Sequence, residues 1–300
     1  MRTKASAPKS RKRAPAKLPS RDEPLADLIS RRVSSFKRRD VRRTAERWLP
    51  IPLDREHGNK PFGFAWFGDP HLDDNDCNWP LLIDDIKEVK STPGMYGAIV
   101  GDLRNNWVGR LVRIYMEQQA THAEGLRLAH WFLDALPWKL GVMGNHDMWN
   151  EGEAILGLIN STGFFMPHWE ARVELRAGRH AWKVHVAHDF PGSSIYNRTH
   201  GPARAALFSG GAAELYVCGH RHNMAGQTFD HPETGVVSNV IRTRGYKWDD
   251  RHAVQNGFAQ GSVGASVVTI FHPGARNAAG RISIYYDVAL GCKVLKALRG

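Results

Sequence analysis

A short apolar run that ends in a small residue and is followed at once by metal-binding side chains occurs five times in the chain. The five segments are FGFAWFGDPH (62–71), YGAIVGD (96–102), KLGVMGNHD (139–147), WKVHVAHD (182–189) and ELYVCGHRH (214–222). Apolar runs this short are typical of strands that are buried on both faces. The pattern therefore predicts five buried strands, each followed by residues that can carry chemistry.

Sequence with helical periodicity separates the early strands, at about residues 79–90 and 108–136. Strands that alternate with helices indicate βαβ units and an open sheet, whose ligand site lies at the carboxyl ends of the strands. Three later apolar segments, at 235–240, 265–271 and 281–288, have little helical sequence between them. We expect those segments to form a second, more antiparallel sheet. The predicted fold class is α/β.

The excess positive charge of the chain is concentrated at its start. Residues 1–50 contain 16 of the 41 Lys+Arg and 5 of the 30 Asp+Glu, so the charges of residues 51–300 balance. We expect a disordered basic tail at 1–20, a basic amphipathic helical segment at 21–50 and a single domain at 51–300.

The basic segment has several interpretations. It is typical of an arm that neutralises DNA or RNA phosphates, and the residues expected to do so are Arg31, Arg32, Lys37, Arg38 and Arg39. A solvated tail that aids solubility is the plainer alternative. Binding to an anionic membrane surface ranks third, because the apolar face is short. The RKR cluster at 11–13 is also compatible with a nuclear address.

Composition excludes several classes of protein. Cys77, Cys218 and Cys292 are odd in number and form no C-x-x-C pair, which excludes a disulfide framework and a zinc knuckle. No apolar run approaches the roughly 20 residues of a membrane-spanning helix. The expected location is a reducing cytoplasm.

The side chains that follow the apolar runs suit a two-metal centre. Carboxylates, imidazoles and amides are ligands for Mn, Fe or Zn. Two divalent ions about 3.5–4 Å apart can clamp the attacking and leaving oxygens at a phosphorus, and they lower the pKa of a shared water. With two aspartates and one hydroxide as counter-charges, such a centre keeps a positive charge for an anionic substrate. The strand-end residues are Asp69, His71, Asp102, Asn105, Asn145, His146, Asp147, His188, His220 and His222.

The series GDPH, GDLRN, GNHD, a strand-end His and GHRH resembles the signature blocks of the calcineurin-like metallophosphoesterase family, in the family's order, over residues 62–222. The resemblance implies a two-sheet α/β/β/α sandwich and two divalent metal ions per chain, with Mn expected first and Fe or Zn as alternatives. It implies that His146 faces the phosphate and protonates the leaving alkoxide or stabilises developing charge. The implied ligands are Asp69, His71, Asp102 and His222 for the first metal, and Asp102, Asn145, His188 and His220 for the second, with Asp102 as the bridge.

One position departs from part of the family. Many members have an aspartate where this chain has Asn105, and that aspartate orients and charges the histidine of the GNH block. An amide oxygen orients an imidazole without supplying charge, so we expect His146 to be protonated less easily. Asparagine is more common here among the family's phosphodiesterases and nucleases, which favours a diester substrate. Asp147 is the alternative partner of His146, although adjacent residues rarely face each other.

Three further side chains are candidates for substrate contacts. Arg104 lies inside the GDLRN block and is expected to meet a phosphate oxygen or to be a solvated loop residue. Trp107 and Trp149 follow metal motifs and are candidate stacking walls for a base, with packing as the alternative. Arg221, between the two histidines of GHRH, alternates away from the metals on an extended segment, which favours a structural role.

These residues predict a dinuclear metal-dependent phosphoester hydrolase in which a metal-bridging hydroxide attacks phosphorus, acting as a phosphodiesterase or nuclease. A phosphomonoesterase that acts on a protein or a small molecule is the alternative within the enzyme class. A nucleic-acid-binding or assembly protein with an inactive phosphoesterase fold is the alternative of another class, and the complete ligand set opposes it.

Overall fold

The computed structural model of the protein describes residues 24–45, 48–109, 112–114, 118–149, 164–209, 211–248 and 264–300. The chain divides into two compact units, residues 1–47 and 48–300. The expected tail at 1–20 lies outside the described residues, and the domain boundaries given above remain a prediction. In the part of the chain that is described, no helix combines the length and the apolar character that a membrane crossing requires.

The first unit contains helix α1 (Leu25–Ala45). Leu25, Ile29, Val33 and Phe36 recur at helical spacing and are all exposed, so α1 carries a solvent-facing apolar stripe between its basic residues. The side chains of Arg38 and Arg39 lie outside the described part of this helix.

The second unit is built from eleven strands and five helices, within the described ranges. The strands are β1 (Leu49–Pro52), β2 (Phe62–Phe67), β3 (Met95–Ile99), β4 (Trp138–Gly141), β5 (Glu170–Ala177), β6 (His180–Ala187), β7 (Leu215–Cys218), β8 (Ala225–His231), β9 (Val236–Arg242), β10 (Val267–Phe271) and β11 (Ile282–Tyr285). The helices are α2 (Trp79–Lys90), α3 (His122–Ala135), α4 (Asn145–Met148), α5 (His200–Phe208) and α6 (Val288–Arg299). Short 3₁₀ turns occur at Arg55–Gly58 and Ala278–Arg281.

The strands form two sheets that face each other. The five-stranded sheet has the order β11-β10-β2-β3-β4, and the six-stranded sheet has the order β1-β5-β6-β7-β9-β8. Strands β2, β3 and β4 run parallel to one another, as do β6, β7 and β9. Fully buried side chains such as Phe64, Trp66 and Trp182 fill the space between the sheets. This shared layer explains why the apolar runs of the sequence have no polar face.

Helices cover the outer face of each sheet. Phe132 of α3 and Leu295 of α6 pack with Phe67 on the five-stranded sheet, together with α2. Ala206 of α5 packs with Tyr216 against the six-stranded sheet. The predicted four-layer α/β/β/α sandwich is therefore confirmed.

Three details of the predicted secondary structure were wrong. The helix expected at 108–136 begins only at His122, because Thr121 and Glu124 form a capping box there. The segment 281–288 contains a strand that ends at Tyr285 and the start of α6, which Asp287 caps. The late strands form no separate antiparallel sheet, since β10 pairs antiparallel with β2 and β9 pairs parallel with β7. Apolar sequence alone does not specify which free edge a strand joins.

Candidate metal centre

The predicted ligands lie at the carboxyl ends of parallel strands from both sheets, in the loops that follow β2, β3, β4, β6 and β7. Five of them have left-handed backbones, a conformation that non-glycine residues rarely adopt. Such strain persists where surrounding contacts enforce it, and it is common at functional sites. The φ angles are 44° at Asp69, 43° at His71, 53° at Asp102, 66° at His220 and 46° at His222.

Two glycines of the motifs leave room for the site. A Cβ on Gly144 would collide with the Asp102 carboxylate and would lie 2.7 Å from Cε1 of His188. A Cβ on Gly219 would collide with Oδ2 of Asp69. Glycine is therefore required at positions 144 and 219 by the close approach of the chain to candidate ligands.

The first group that can hold a cation consists of Asp69, His71 and His222, whose candidate ligand atoms lie within 4.8 Å of one another. Asp69 is completely buried, and both of its oxygens accept the main-chain N–H of His220, at 3.0 and 2.8 Å. Nδ1 of His71 is buried and has no hydrogen-bond partner among the described residues. A buried polar atom without a partner is costly, and the donor chemistry of this group fits a divalent cation.

The second group consists of Asp102, His188 and His220, with Asn145 beside them. Nδ1 of His188 faces the carbonyl of Val100 at 2.8 Å, so the ring donates there and directs Nε2 into the site. That Nε2 lies 3.0 Å from Nδ1 of His220, 3.1 Å from Oδ1 of Asn145 and 3.2 Å from Oδ2 of Asp102.

These separations match those of ligands that share one cation. Two ligand atoms at about 2.1 Å from a metal ion and at right angles lie about 3.0 Å apart. His188 also connects the two groups, since its Nδ1 is 4.0 Å from Oδ1 of Asp69. Asp102 belongs to the second group. Its role as a bridge between the two metal ions stays a prediction.

The charges of the site are strongly perturbed. Burial would raise the pKa of Asp102, but the adjacent His188 lowers that pKa well below its usual range. Burial would likewise lower the pKa of His188, and the Asp102 carboxylate overcomes it and raises that pKa. Asp102 is therefore an anion that needs a cationic neighbour, and a bound metal ion would be such a neighbour.

The histidines of the GHRH block are held neutral. Burial lowers the pKa of His220 and of His222 to about 4, assisted by His188 at His220 and by Lys247 at His222. Neutral imidazole is the form that binds metals, so both rings are available as ligands at neutral pH.

His146 lies beside Asp102 of the second group and His71 of the first, and its ring contacts two tryptophans. Its Nε2 is 3.9 Å from Oδ2 of Asp102, and its ring centroid is 5.3 Å from that of Trp107 and 4.2 Å from that of Trp149. Its Nδ1 contacts the main-chain carbonyl of Asn105.

We predicted that the side-chain oxygen of Asn105 orients His146. The contact is made instead by the main-chain oxygen of Asn105, so that prediction was wrong. The Asn105 amide turns away and donates to Asp74 at 2.6 Å and to Gln118 at 3.1 Å. The loop fold brings the carbonyl of Asn105, rather than its side chain, to the imidazole.

Asp147 does not contact His146 either. Its buried carboxylate accepts main-chain N–H groups from Asp102, Leu103 and Gly144, at 2.8, 2.8 and 2.9 Å. Burial, and next the charge of Asp102, raises the pKa of Asp147 to about 7. Asp147 ties the GDLRN and GNHD loops together, which is a positioning role.

The three candidate substrate contacts differ in accessibility. Arg104 is 1% exposed, so it is not a solvated loop residue, and its guanidinium nitrogens have no hydrogen-bond partner among the described residues. Trp107 is 8% exposed, with the Lys247 ammonium 5.1 Å from its ring centroid, which favours packing. Trp149 is partly buried against His146, so it is the candidate wall nearest the predicted reaction site.

Sequence reasoning missed two charge networks around the centre. Asp189, which follows His188, accepts a hydrogen bond from Arg242 at 3.1 Å and another from Arg221 at 3.0 Å. Lys247 lies 2.7 Å from Asp74. The acidic run after His71 and the Asp after His188 were visible signals, but their partners are distant in sequence.

Comparison with known proteins gave matches in structure only; no family model and no curated protein matched the sequence. An archaeal phosphodiesterase is 11% identical, with 75% of this chain and 99% of that chain covered and a TM-score of 0.39. A Vps29 variant from Entamoeba histolytica is 10% identical, with coverage of 75% and 97% and a TM-score of 0.41. The calcineurin-like phosphoesterase YfkN from Bacillus subtilis is 12% identical, with coverage of 77% and 91% and a TM-score of 0.40. These likenesses concern the fold alone.

Proposed function

We propose that the protein is a two-metal phosphoesterase that hydrolyses phosphodiesters. The observation that supports this most is the convergence of two Asp/His groups, Asp69 with His71 and His222, and Asp102 with His188 and His220. Nε2 of His188, oriented by Val100, faces three other donor atoms at 3.0–3.2 Å, an arrangement suited to sharing a cation.

The proposed metal ligands are the seven residues named from the motifs, including Asn145. Two divalent ions bound there would supply Lewis-acid activation of a phosphate and a nucleophilic hydroxide near neutral pH. The chain's own contribution is to fix the ligands through strained loops and through the main-chain hydrogen bonds of Asp69 and Asp147. Mn is the metal proposed first, because hard carboxylate and amide oxygens accompany the imidazoles.

His146 is the proposed acid or charge-stabilising group. Its Nδ1 contacts the Asn105 carbonyl, which leaves Nε2 near Asp102 and open to the centre. If Nδ1 carries the proton donated to that carbonyl, Nε2 can accept a hydrogen bond or, when protonated, donate a proton to the leaving oxygen.

A diester is the proposed substrate because this chain has Asn105 where many members of the resembled family have a carboxylate. The half-exposed Arg221 guanidinium favours an anionic ligand, whereas the charge of Lys247 is buried and balanced by Asp74. The basic residues of 1–50 are proposed to hold the enzyme near DNA or RNA.

The proposal is tested by hydrolysis of bis(p-nitrophenyl) phosphate and p-nitrophenyl phosphate with Mn(II). We expect the diester to be hydrolysed faster, activity to be lost with chelator, and His188→Ala and Asp102→Ala to lower kcat/KM at least about 100-fold. His130→Ala, on the exposed face of α3, is the matched control. Equal and metal-independent rates for wild type and Asp102→Ala would contradict the proposal.

A further inference from the structure

Arg221 lies between two candidate ligands but does not behave as a residue of an extended strand. His220 and His222 on either side have φ angles of 66° and 46°, so the alternation that predicted a side chain turned away from the metals does not apply. The Arg221 guanidinium instead packs beside the centre, on the carboxylate of Asp189.

Asp189 fixes Arg221 in one place. Nε and Nη2 of Arg221 both lie 3.0 Å from Oδ2 of Asp189, whose side chain is 9% exposed. The other oxygen, Oδ1, accepts Nη1 of Arg242 at 3.1 Å. Arg242 is itself anchored by the carbonyls of Gly219, at 2.7 Å, and Arg198, at 3.0 Å.

Among the described residues, the cluster of Arg221, Arg242 and Asp189 has two positive charges and one negative charge. Both guanidinium groups contact the single carboxylate of Asp189. The Arg242 side chain is 1% exposed, so Arg242 is the buried partner whose charge balances that of Asp189. The Arg221 side chain is 42% exposed. A guanidinium has more N–H donors than the contacts with Asp189 use, so within the described part of the chain Arg221 has donors left for a ligand.

The Arg221 guanidinium is also close to the metal ligands. It is adjacent in the chain to both His220 and His222, and it lies on the carboxylate of Asp189, the residue that follows His188. A rigid, half-exposed guanidinium beside a phosphate-cleaving centre is suited to binding a phosphate bidentately.

We infer that Arg221 binds a phosphate next to the scissile one, and that the substrate is a nucleic-acid strand, whose linkages each have a neighbouring phosphate. This rests on the proposed phosphodiesterase function. Asp189 and Arg242 position Arg221 for this contact.

The test compares kcat/KM of the full-length, Mn-loaded enzyme for the dinucleotide TpT, which has one phosphate, and for its terminally phosphorylated forms pTpT and TpTp. We expect wild type to prefer at least one phosphorylated form by about 10–100-fold, the range of a charge-assisted contact. In Arg221→Gln the ratio falls towards one. Arg179→Gln, in the exposed turn at the far end of β6 from His188, keeps the ratio.

A purely structural role for Arg221 would lower the rates for all three dinucleotides in parallel and leave the ratio intact, which would overturn the inference. A wild-type ratio near one for both phosphorylated forms, with bis(p-nitrophenyl) phosphate still hydrolysed, would overturn the inference and leave the proposed function standing. Failure of wild type to hydrolyse any of these diesters would overturn both.

Discussion

Nδ1 of His188 lies 2.8 Å from the main-chain carbonyl of Val100, the residue that directly follows β3 of the other sheet. The contact places a proton on Nδ1, because a carbonyl accepts only from a protonated nitrogen. Nε2 is therefore the nitrogen that faces Asp102, Asn145 and His220, and it would bind a metal ion once its own proton is displaced. The two sheets thus cooperate in one site: one supplies the carbonyl and the other supplies the ligand.

Replacing Gly144 by alanine is expected to disturb this arrangement. The backbone there has a φ of −90°, which alanine tolerates, so the effect comes from the collision of the new Cβ with Asp102 and His188. We expect metal affinity to fall at least about 10-fold, measured by calorimetric titration. Gly274→Ala, with no atom within 4 Å of its added Cβ, is the control. Wild-type affinity in Gly144→Ala would show that the loops relax freely.

Asn105 and His146 are expected to differ in their effect on the rate. His146→Ala should lower kcat by about 10²–10³-fold if His146 is a general acid. Asn105→Ala should lower kcat less than about 10-fold, because the main-chain carbonyl that contacts His146 remains. Steady-state kinetics on a diester checks both values. An equal loss in the two variants would mean that the Asn105 side chain has a role in catalysis that this geometry does not include.

Asp85 is expected to make stability depend on pH. Burial raises its pKa to about 7, opposed by the hydrogen bond that Tyr246 donates at 2.7 Å. A carboxyl whose pKa is raised on folding favours the folded state below its unfolded pKa near 4, and this contribution is lost as the pH rises through about 7. As the pH rises from 5 to 8, the Tm of wild type should therefore fall relative to the Tm of Asp85→Asn, by a few degrees in total.

Melting curves in EDTA measure this difference without changes in metal loading. Asp84→Asn, at the neighbouring exposed position, provides the matched control. A Tm difference between Asp85→Asn and wild type that stays constant from pH 5 to pH 8 would contradict the assignment.

The basic helix α1 is expected to contribute to nucleic-acid binding. Replacing Arg31, Arg32 and Lys37 together by glutamine removes up to three phosphate contacts. The slope of log K against log salt for single-stranded DNA should then become less steep by about 2. Fluorescence anisotropy at several salt concentrations measures the slope. An unchanged slope would favour the solvated-tail interpretation, and binding to anionic vesicles instead of DNA would favour the membrane interpretation.

Much of the fold was predictable because the central strands are buried on both faces. The run Phe62–Phe67 has no polar residue and lies between two apolar layers, so its sequence identifies it as a strand. Strand β8 (Ala225–His231) has no such run, because it lies at the edge of its sheet and is mostly exposed. Its conformation depends on pairing with β9, which sequence periodicity does not reveal.

The candidate ligands were predictable for a similar reason: each follows a strand end in a recognisable block. The groups that position them were not. Arg242 reaches Asp189 across 53 residues of sequence, and His146 contacts a main-chain carbonyl, which has no sequence signature. Left-handed backbones at His220 and His222 also invalidated the strand alternation assumed for Arg221.

The most direct test of the central claim is the metal stoichiometry of the full-length protein, stripped with chelator and reloaded with Mn(II), then measured by elemental analysis after desalting. We expect two ions per chain in wild type and fewer than two in His188→Ala, because Nε2 of His188 faces the other donors of the second group. His130→Ala should retain two. One ion or none in wild type, or two ions retained in His188→Ala, would contradict the two-metal centre.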